Sequence, residues 1–268
     1  MSRTVQTRIR FCVLMVAACV AVSPLRGQET TDIAPGPSVR FPAAWYPPDN
    51  DVTSTMAPVK GAPYEARVVM SSEQYGKVPV EQATLQARDA TGRTRTESSM
   101  GPRTTQDGRQ VQVREVSISD PVSHCSFQWE EPWGAAGMPR ATVQCMPRTV
   151  HFNEQSMWSS VASIKPGEEH PSPDETDQTE AIGGRTFDGI RAVGFRRVRI
   201  LKSPDLKQTQ TIESEVWTAP EMKEIVAIYV KGPGGYGIEL RDIKLREPDP
   251  KLFYPPANYK IEPIPSHP

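Results

Sequence analysis

His124 and His151 are the residues of this sequence best placed to move a proton, since His170 sits in an acidic, proline-broken stretch and His267 in the C-terminal tail. A histidine base works on a serine, threonine or carboxylate held within hydrogen-bond reach. No local spacing supplies one, and the chain has no G-x-S-x-G, S-x-x-K or H-E-x-x-H pattern. No catalytic residue is assigned, and the expectation is a non-enzymatic protein. Metal-ligating types occur at Glu168, Glu169 and His170, and at His124 beside Cys125 with His151 six residues beyond Cys145. Neither cysteine belongs to a C-x-x-C pair, and the acidic stretch has no rigid neighbours to aim its ligands, so no metal site is expected. Gly232-Pro233-Gly234-Gly235-Tyr236-Gly237 matches G-x-G-x-x-G by letter. The next residues, IELRDIKL, alternate like a strand, so no helix N-terminus meets a pyrophosphate and the glycines read as a hairpin turn. No cofactor is expected.

Binding is the better prospect. The tryptophans Trp129, Trp133, Trp158 and Trp217 could line an apolar cavity, or they could be core and loop anchors. Arg88, Arg93 and Arg95 crowd one segment, and Arg191, Arg196, Arg197, Arg199 and Lys202 another. These could form a basic face for anionic lipid; the favoured reading is a solvated sheet face paired with acids such as Glu97, Glu213 and Glu215. The 268 residues carry 31 Lys+Arg against 32 Asp+Glu. Four of those arginines lie in the first 27 residues with no acid, which leaves the remainder at a net charge of −5. That excess runs the wrong way for a nucleic-acid partner.

A basic start followed by the apolar run Phe11 to Val22 has the layout of a secretory signal and is too short to span a bilayer comfortably. Cleavage after Gly27 gives a periplasmic or extracellular chain. The rival reading takes Val16-Ala17-Ala18-Cys19 as a lipobox that would anchor the chain at Cys19; the soluble form is favoured because the apolar run continues past Cys19. In an exported chain, Cys125 and Cys145 are most simply a disulfide. They lie in two strand-like runs, HCSFQWEE and RATVQCMP, and folding that hairpin about Ala135 sets them opposite one another.

The 27 prolines and 18 glycines fit a protein of strands and turns with unstructured tails better than a helical bundle. Residues 1–27 form the signal, 28–62 a proline-rich disordered leader, 63–262 one antiparallel β domain, and 263–268 a tail. Within the domain, YEARVVMSSEQ, VEQATLQARDA, GRTRTESSM and VQVREVSISDP form a meander that continues into the cysteine strands. Residues 163–182 read as a solvated acidic loop. Beyond it come RTFDGIRAVGFRRVRIL, QTIESEVWTA, EIVAIYVKG and YGIELRDIKLRE. After Glu224, EIVAIYV is a continuous apolar run and predicts a central strand covered on both faces. The local candidate for its cover is a helix around Asn153 to Ile164, where Met157, Val161 and Ile164 fall at helical spacing. In the proline-locked end of the chain, Leu252, Phe253 and Tyr259 are available to tuck against the sheet.

Three stretches together carry a resemblance: RDATGRTRTES, FDGIRAVGFRRVRI, and the C-terminal SEVWTAPEMKEIVAIYV with IELRDIKLREPDPKLFYPPANYKI. The chain resembles an uncharacterised family of exported bacterial proteins abundant in acidobacteria, over most of residues 64 to 261. More distantly, the closing pattern is similar to the envelope proteins related to the lipoprotein carriers LolA and LolB. The resemblance implies a mainly β (α+β) fold: a curved antiparallel sheet forming a LolA-like open half barrel, covered by one or two helices. It also implies an envelope location and a hydrophobic ligand, an acyl chain or a lipoprotein, in the concave face. Trp158, Trp217, Ile228 and Tyr229 are the residues expected to line it. The competing reading is a structural or sensory module that contacts another envelope protein and has no pocket.

Overall fold

The computed structural model describes residues 42–46, 54–72, 82–105, 107–132, 138–147, 151–172, 174–203, 208–232 and 234–264. The expected signal, its cleavage point and Cys19 lie outside these residues. In chain order the elements are β1 (Ser54–Ala57), β2 (Tyr64–Ser72), β3 (Gln82–Arg88), β4 (Thr94–Thr104), β5 (Gln110–Asp120), β6 (Cys125–Glu131), β7 (Arg140–Cys145) and β8 (His151–Ser156). There follow α1 (Met157–Ala162), β9 (Gly167–Ser172), β10 (Glu175–Phe187), β11 (Ile190–Ser203), β12 (Gln208–Ala219), β13 (Glu224–Lys231), β14 (Tyr236–Lys244) and β15 (Lys260–Pro263). Short 3-10 turns occupy Ala43–Trp45 and Pro250–Phe253.

Thirteen strands form one curved, open sheet in the order β15-β7-β6-β5-β4-β3-β2-β14-β13-β12-β11-β10-β9, and β1 pairs separately with β8. All neighbours in the large sheet are antiparallel except β15 on β7. The meander expected from alternation is present as β2 to β7, and Cys125 faces Cys145 across β6 and β7 and is bonded to it. The glycine hexapeptide joins β13 to β14, with Val230 opposite Tyr236.

Alternation along paired strands gives the sheet two faces that can be followed across it. On one, Ala87, Ile118, Phe127 and Val143 build a core with Val116, Trp129 and the disulfide. Phe253 is buried in that core, with Leu252, Tyr259 and Ile261 packed beside it, as the tucked C-terminal segment predicts. A second core gathers Tyr64, Ala66, Phe187, Ala192, Trp217, Met222, Val226 and Leu240.

Four expectations need correction. No helix covers the sheet among the described residues: α1 has six residues and is capped by Ser156, which shares a capping box with Ser159. At 1.5 Å per residue such a helix is about 9 Å long, the width of two strands. Its last helical residue is Ala162, so Ile164 falls outside it. In consequence β13 is central and paired on both sides, but Ile228, Tyr229 and Val230 are half-buried rather than covered on both faces. Residues 163–182 hold β9 and the first half of β10 rather than a loop. Their acids stand opposite arginines, with Asp177 facing Arg199 and Glu180 facing Arg196, so charge pairing and the backbone ladder hold a strand that has little to bury. Finally, part of the 28–62 leader is ordered, since Trp45 and Tyr46 pack on the first core and β1 pairs with β8.

Candidate functional site

The turn between β3 and β4 holds the arginines in a way the alternation did not suggest. Arg88, Arg93 and Arg95 are at most 5% exposed and are spent on fixing distant segments. Arg88 donates from Nε and Nη2 to the Ala62 carbonyl at 3.1 and 3.0 Å, from Nη2 also to the Met222 carbonyl, and from Nη1 to Glu224 at 3.1 Å. Arg93 pairs with Asp89, donates to the Tyr254 hydroxyl at 2.9 Å and lies over the Phe253 ring. Arg95 donates to Glu97 and to the Leu252 carbonyl and lies over Trp129. Glu247 accepts from the Ala90 amide, so the stretch RDATGRTRTE and the stretch EPDPKLFY are two sides of one contact. The expected solvated, acid-paired face holds only for the other group: Arg196 pairs with Glu180, Glu213 and Glu215, and Arg197 and Arg199 with Asp177.

On the sheet face opposite the Phe127 core lies a cavity of about 350 Å³. Its floor is set by register. Tyr64, Arg88, Thr94 and Ser119 face one another across β2 to β5, and Gln86 and Thr96 form the next row. Pro121 adds to it between β5 and β6, and further lining comes from outside the meander: Ala57 at the end of β1 with Pro58 and Val59 after it, Met146 after β7, Phe152 on β8, Trp158 and Val161 on α1, and Lys223, Glu224 and Ile225 at the start of β13. Gly92 also lines it, with φ of +93°, and a Cβ there would come within 2.9 Å of Pro58. Only glycine fits this turn.

Electrostatically the floor is nearly closed on itself. Tyr64 donates to Glu224 at 3.0 Å and accepts from Gln86 at 2.6 Å, and Arg88 lies 4.9 Å over its ring. Burial, reinforced by the Glu224 charge, pushes the Tyr64 phenol well above its ordinary value, so it stays a neutral donor. The result is a mixed pocket: apolar walls over a polar floor in which Tyr64, Gln86 and Arg88 are paired with one another and with Glu224, a lining suited to an amphiphile.

The four residues expected to line a site are separated. Trp158 lines the cavity. Trp217 is 7% exposed and packs edge-on to Phe187, 5.8 Å between centroids, across Gly194, where a Cβ would stand 2.7 Å from its ring. Ile228 belongs to a row running Met70, Ile238, Ile228, Val216, Phe195 across five strands. That row lies on the same face as Ala66, and Met70 is 46% exposed. Tyr229 points the other way, donates to Glu239 at 2.6 Å, and burial with that hydrogen bond raises it to about 12. Of the two candidate histidines, His124 stacks edge-on with Phe152 at 5.7 Å; of the His151 side chain nothing is described. No cluster of metal-ligating side chains occurs among the described residues. Of the floor residues, Arg88 was expected only as part of a basic sheet face, and Tyr64, Gln86, Thr94 and Thr96 were not singled out. Their signal was the alternation in YEARV, QATLQAR and RTRTES, which puts them on one face and Ala87 on the other.

No family model matches the chain, and no curated protein matches it. Among solved structures, LprF from Mycobacterium bovis is 12% identical with a TM-score of 0.31, over 70% of this chain and 90% of that one. A DUF1329 family protein from Desulfovibrio piger is 12% identical with a TM-score of 0.17, over 69% of this chain and 85% of that one. At these scores neither likeness carries an argument, so function has to be argued from the cavity itself.

Proposed function

We propose that this protein is a non-enzymatic envelope protein that holds an acyl chain in the cavity beside Trp158. The observation that carries the proposal is the apolar wall itself: Pro58, Val59, Met146, Phe152, Trp158, Val161 and Ile225 converge on one 350 Å³ space over the sheet. If a methylene takes about the volume of a water in the liquid, ~30 Å³, the space admits roughly ten. At about 0.8 kcal/mol per buried methylene the gross gain is ~8 kcal/mol, from which association and ordering costs are subtracted. A short acyl chain alone would then bind weakly, as suits a carrier or sensor that must release it. The LolA-like resemblance agrees with this reading, as do the Cys125–Cys145 disulfide, expected of an oxidising compartment, and the signal-like start. Among the described residues no helix is long and apolar enough to cross a membrane.

The test is to purify the mature chain from its own envelope, extract it with solvent and weigh what is released. A stoichiometric acyl species that is lost in Trp158→Asp supports the proposal; an empty protein that also fails to bind added fatty acid defeats it. A second reading, a module that docks another envelope protein, is favoured by the half-open row around Met70 and Ile228. Site-specific crosslinking from Met70 that captures one defined envelope protein, with the cavity empty, would move the function there.

A further inference from the structure

The lining of the cavity includes a cation, Lys223, with no ion-pair partner among the described residues, and we infer that it marks the ligand as an amphiphile with an anionic head. This rests on the proposal that the cavity holds an acyl chain, and specifies what lies at the end of that chain.

Arg88 cannot serve a ligand, because its donors are taken by the carbonyls of Ala62, Met222 and Lys223 and by Glu224. Glu224 is equally occupied, accepting from Tyr64 and Arg88 on one oxygen and from the Ile225 amide on the other. The two charges cancel. Lys223, next in the lining, is different. Its ammonium donates to the Lys60 carbonyl at 3.2 Å, and no carboxylate lies within ion-pair distance of it among the described residues. A lysine has three donors, so two remain to offer. Its backbone sits at φ +50°, in the turn closed by its amide on the Pro220 carbonyl, a conformation uncommon for a residue with a side chain. That turn brings the stem of Lys223 to the cavity.

The floor adds neutral donors. The hydroxyls of Thr94, Thr96 and Ser119 line the cavity, and among the described residues none has a hydrogen bond to a protein group. A carboxylate or a phosphate monoester offers the acceptors that such hydroxyls and an ammonium require. The apolar wall of Phe152, Trp158 and Val161 takes the chain, and the Lys223 side receives the head.

The experiment uses the full mature chain and three twelve-carbon probes, dodecanoate, dodecyl phosphate and dodecanol, with binding followed by calorimetry. The expected result is at least tenfold tighter binding of one or both anions than of the alcohol, weakening as salt is raised. Lys223→Met should bring the anions to the level of dodecanol, while Lys223→Arg keeps most of the preference. Preference for dodecanoate over dodecyl phosphate, or the reverse, identifies which headgroup the site takes. Dodecanol binding as tightly as both anions, or a preference that survives in folded Lys223→Met, overturns the anionic head and leaves the cavity reading standing. Failure of all three probes to bind overturns the cavity reading, and the anionic head with it.

Discussion

The strands before residue 146 and those after residue 174 belong to one sheet but are built in opposite ways. In the first set, the face carrying Ala87, Ile118 and Phe127 is buried under the C-terminal segment, and the other face is polar, with Gln86, Thr96, Ser117 and Gln128 in one row. In the second set the continuation of the buried face is apolar only around Trp217 and Phe187 and otherwise ionic, with Arg196, Glu180, Glu213, Glu215 and Lys231 paired along it, while the opposite face holds the apolar row through Ile228 and Phe195 beside the Asp177–Arg197–Arg199 cluster. One half hides its apolar side and the other leaves it half open. The cavity sits where the polar face borders Phe152 of β8 and Trp158 and Val161 of the short α1, so the space arises where chain from outside the meander meets that face.

Mutations should separate the two halves sharply. Asp89→Ala leaves the Arg93 guanidinium buried without its partner and should cost about 3–5 kcal/mol in urea unfolding. Phe127→Ala, emptying the first core, should cost a similar ~3–5 kcal/mol. In the second half, Gly194→Ala drives a methyl into the Trp217 ring and should cost about 1–3 kcal/mol, with the intrinsic fluorescence of that tryptophan changing. Ile228→Ser, in the half-open row, should cost only about 1 kcal/mol; a loss as large as that of Phe127→Ala would mean that something covers the row and would erase the contrast. The smallest effect is with pH. Burial alone would raise the Glu239 carboxyl, but hydrogen bonds from Tyr229 and Arg241 hold it below its ordinary value. Its folded-state value is depressed, so its contribution is present above the ordinary carboxylate range and is lost as pH falls through the depressed value. Glu239→Gln should flatten that acid slope, while Asp89→Ala shifts the whole stability curve down.

The meander, the facing cysteines and the tucked Phe253 were legible because each rests on a local signal: period-two alternation, breakers, and an aromatic between prolines. The acidic stretch was misread because its strands are held by arginines that lie some twenty residues further on, at Arg197 and Arg199. The hairpin at Asp188-Gly189, with both residues at positive φ, was hidden inside what read as one long strand, although Asp-Gly is its ordinary signature. Ile228 and Tyr229 are consecutive in a strand and so face opposite sides, a constraint the sequence already contained. The burial of Arg88, Arg93 and Arg95 was not readable from their local partners Asp89 and Glu97, since what covers them comes from residues 62, 222–224 and 252–254.

That last arrangement also sets a clock. Synthesis proceeds from the N-terminus, so strands β2 to β7 exist before the Met222 and Leu252 carbonyls that receive Arg88 and Arg95, and before Tyr254 reaches Arg93. Until those residues arrive, three guanidiniums at the centre of the meander have only water to satisfy their remaining donors, and the Phe127 core lacks Phe253. An incomplete chain therefore has little reason to close early. The contacts of three arginines at positions 88, 93 and 95 are thus completed only by residues 222, 252 and 254, so the packing of the meander depends on the far end of the chain.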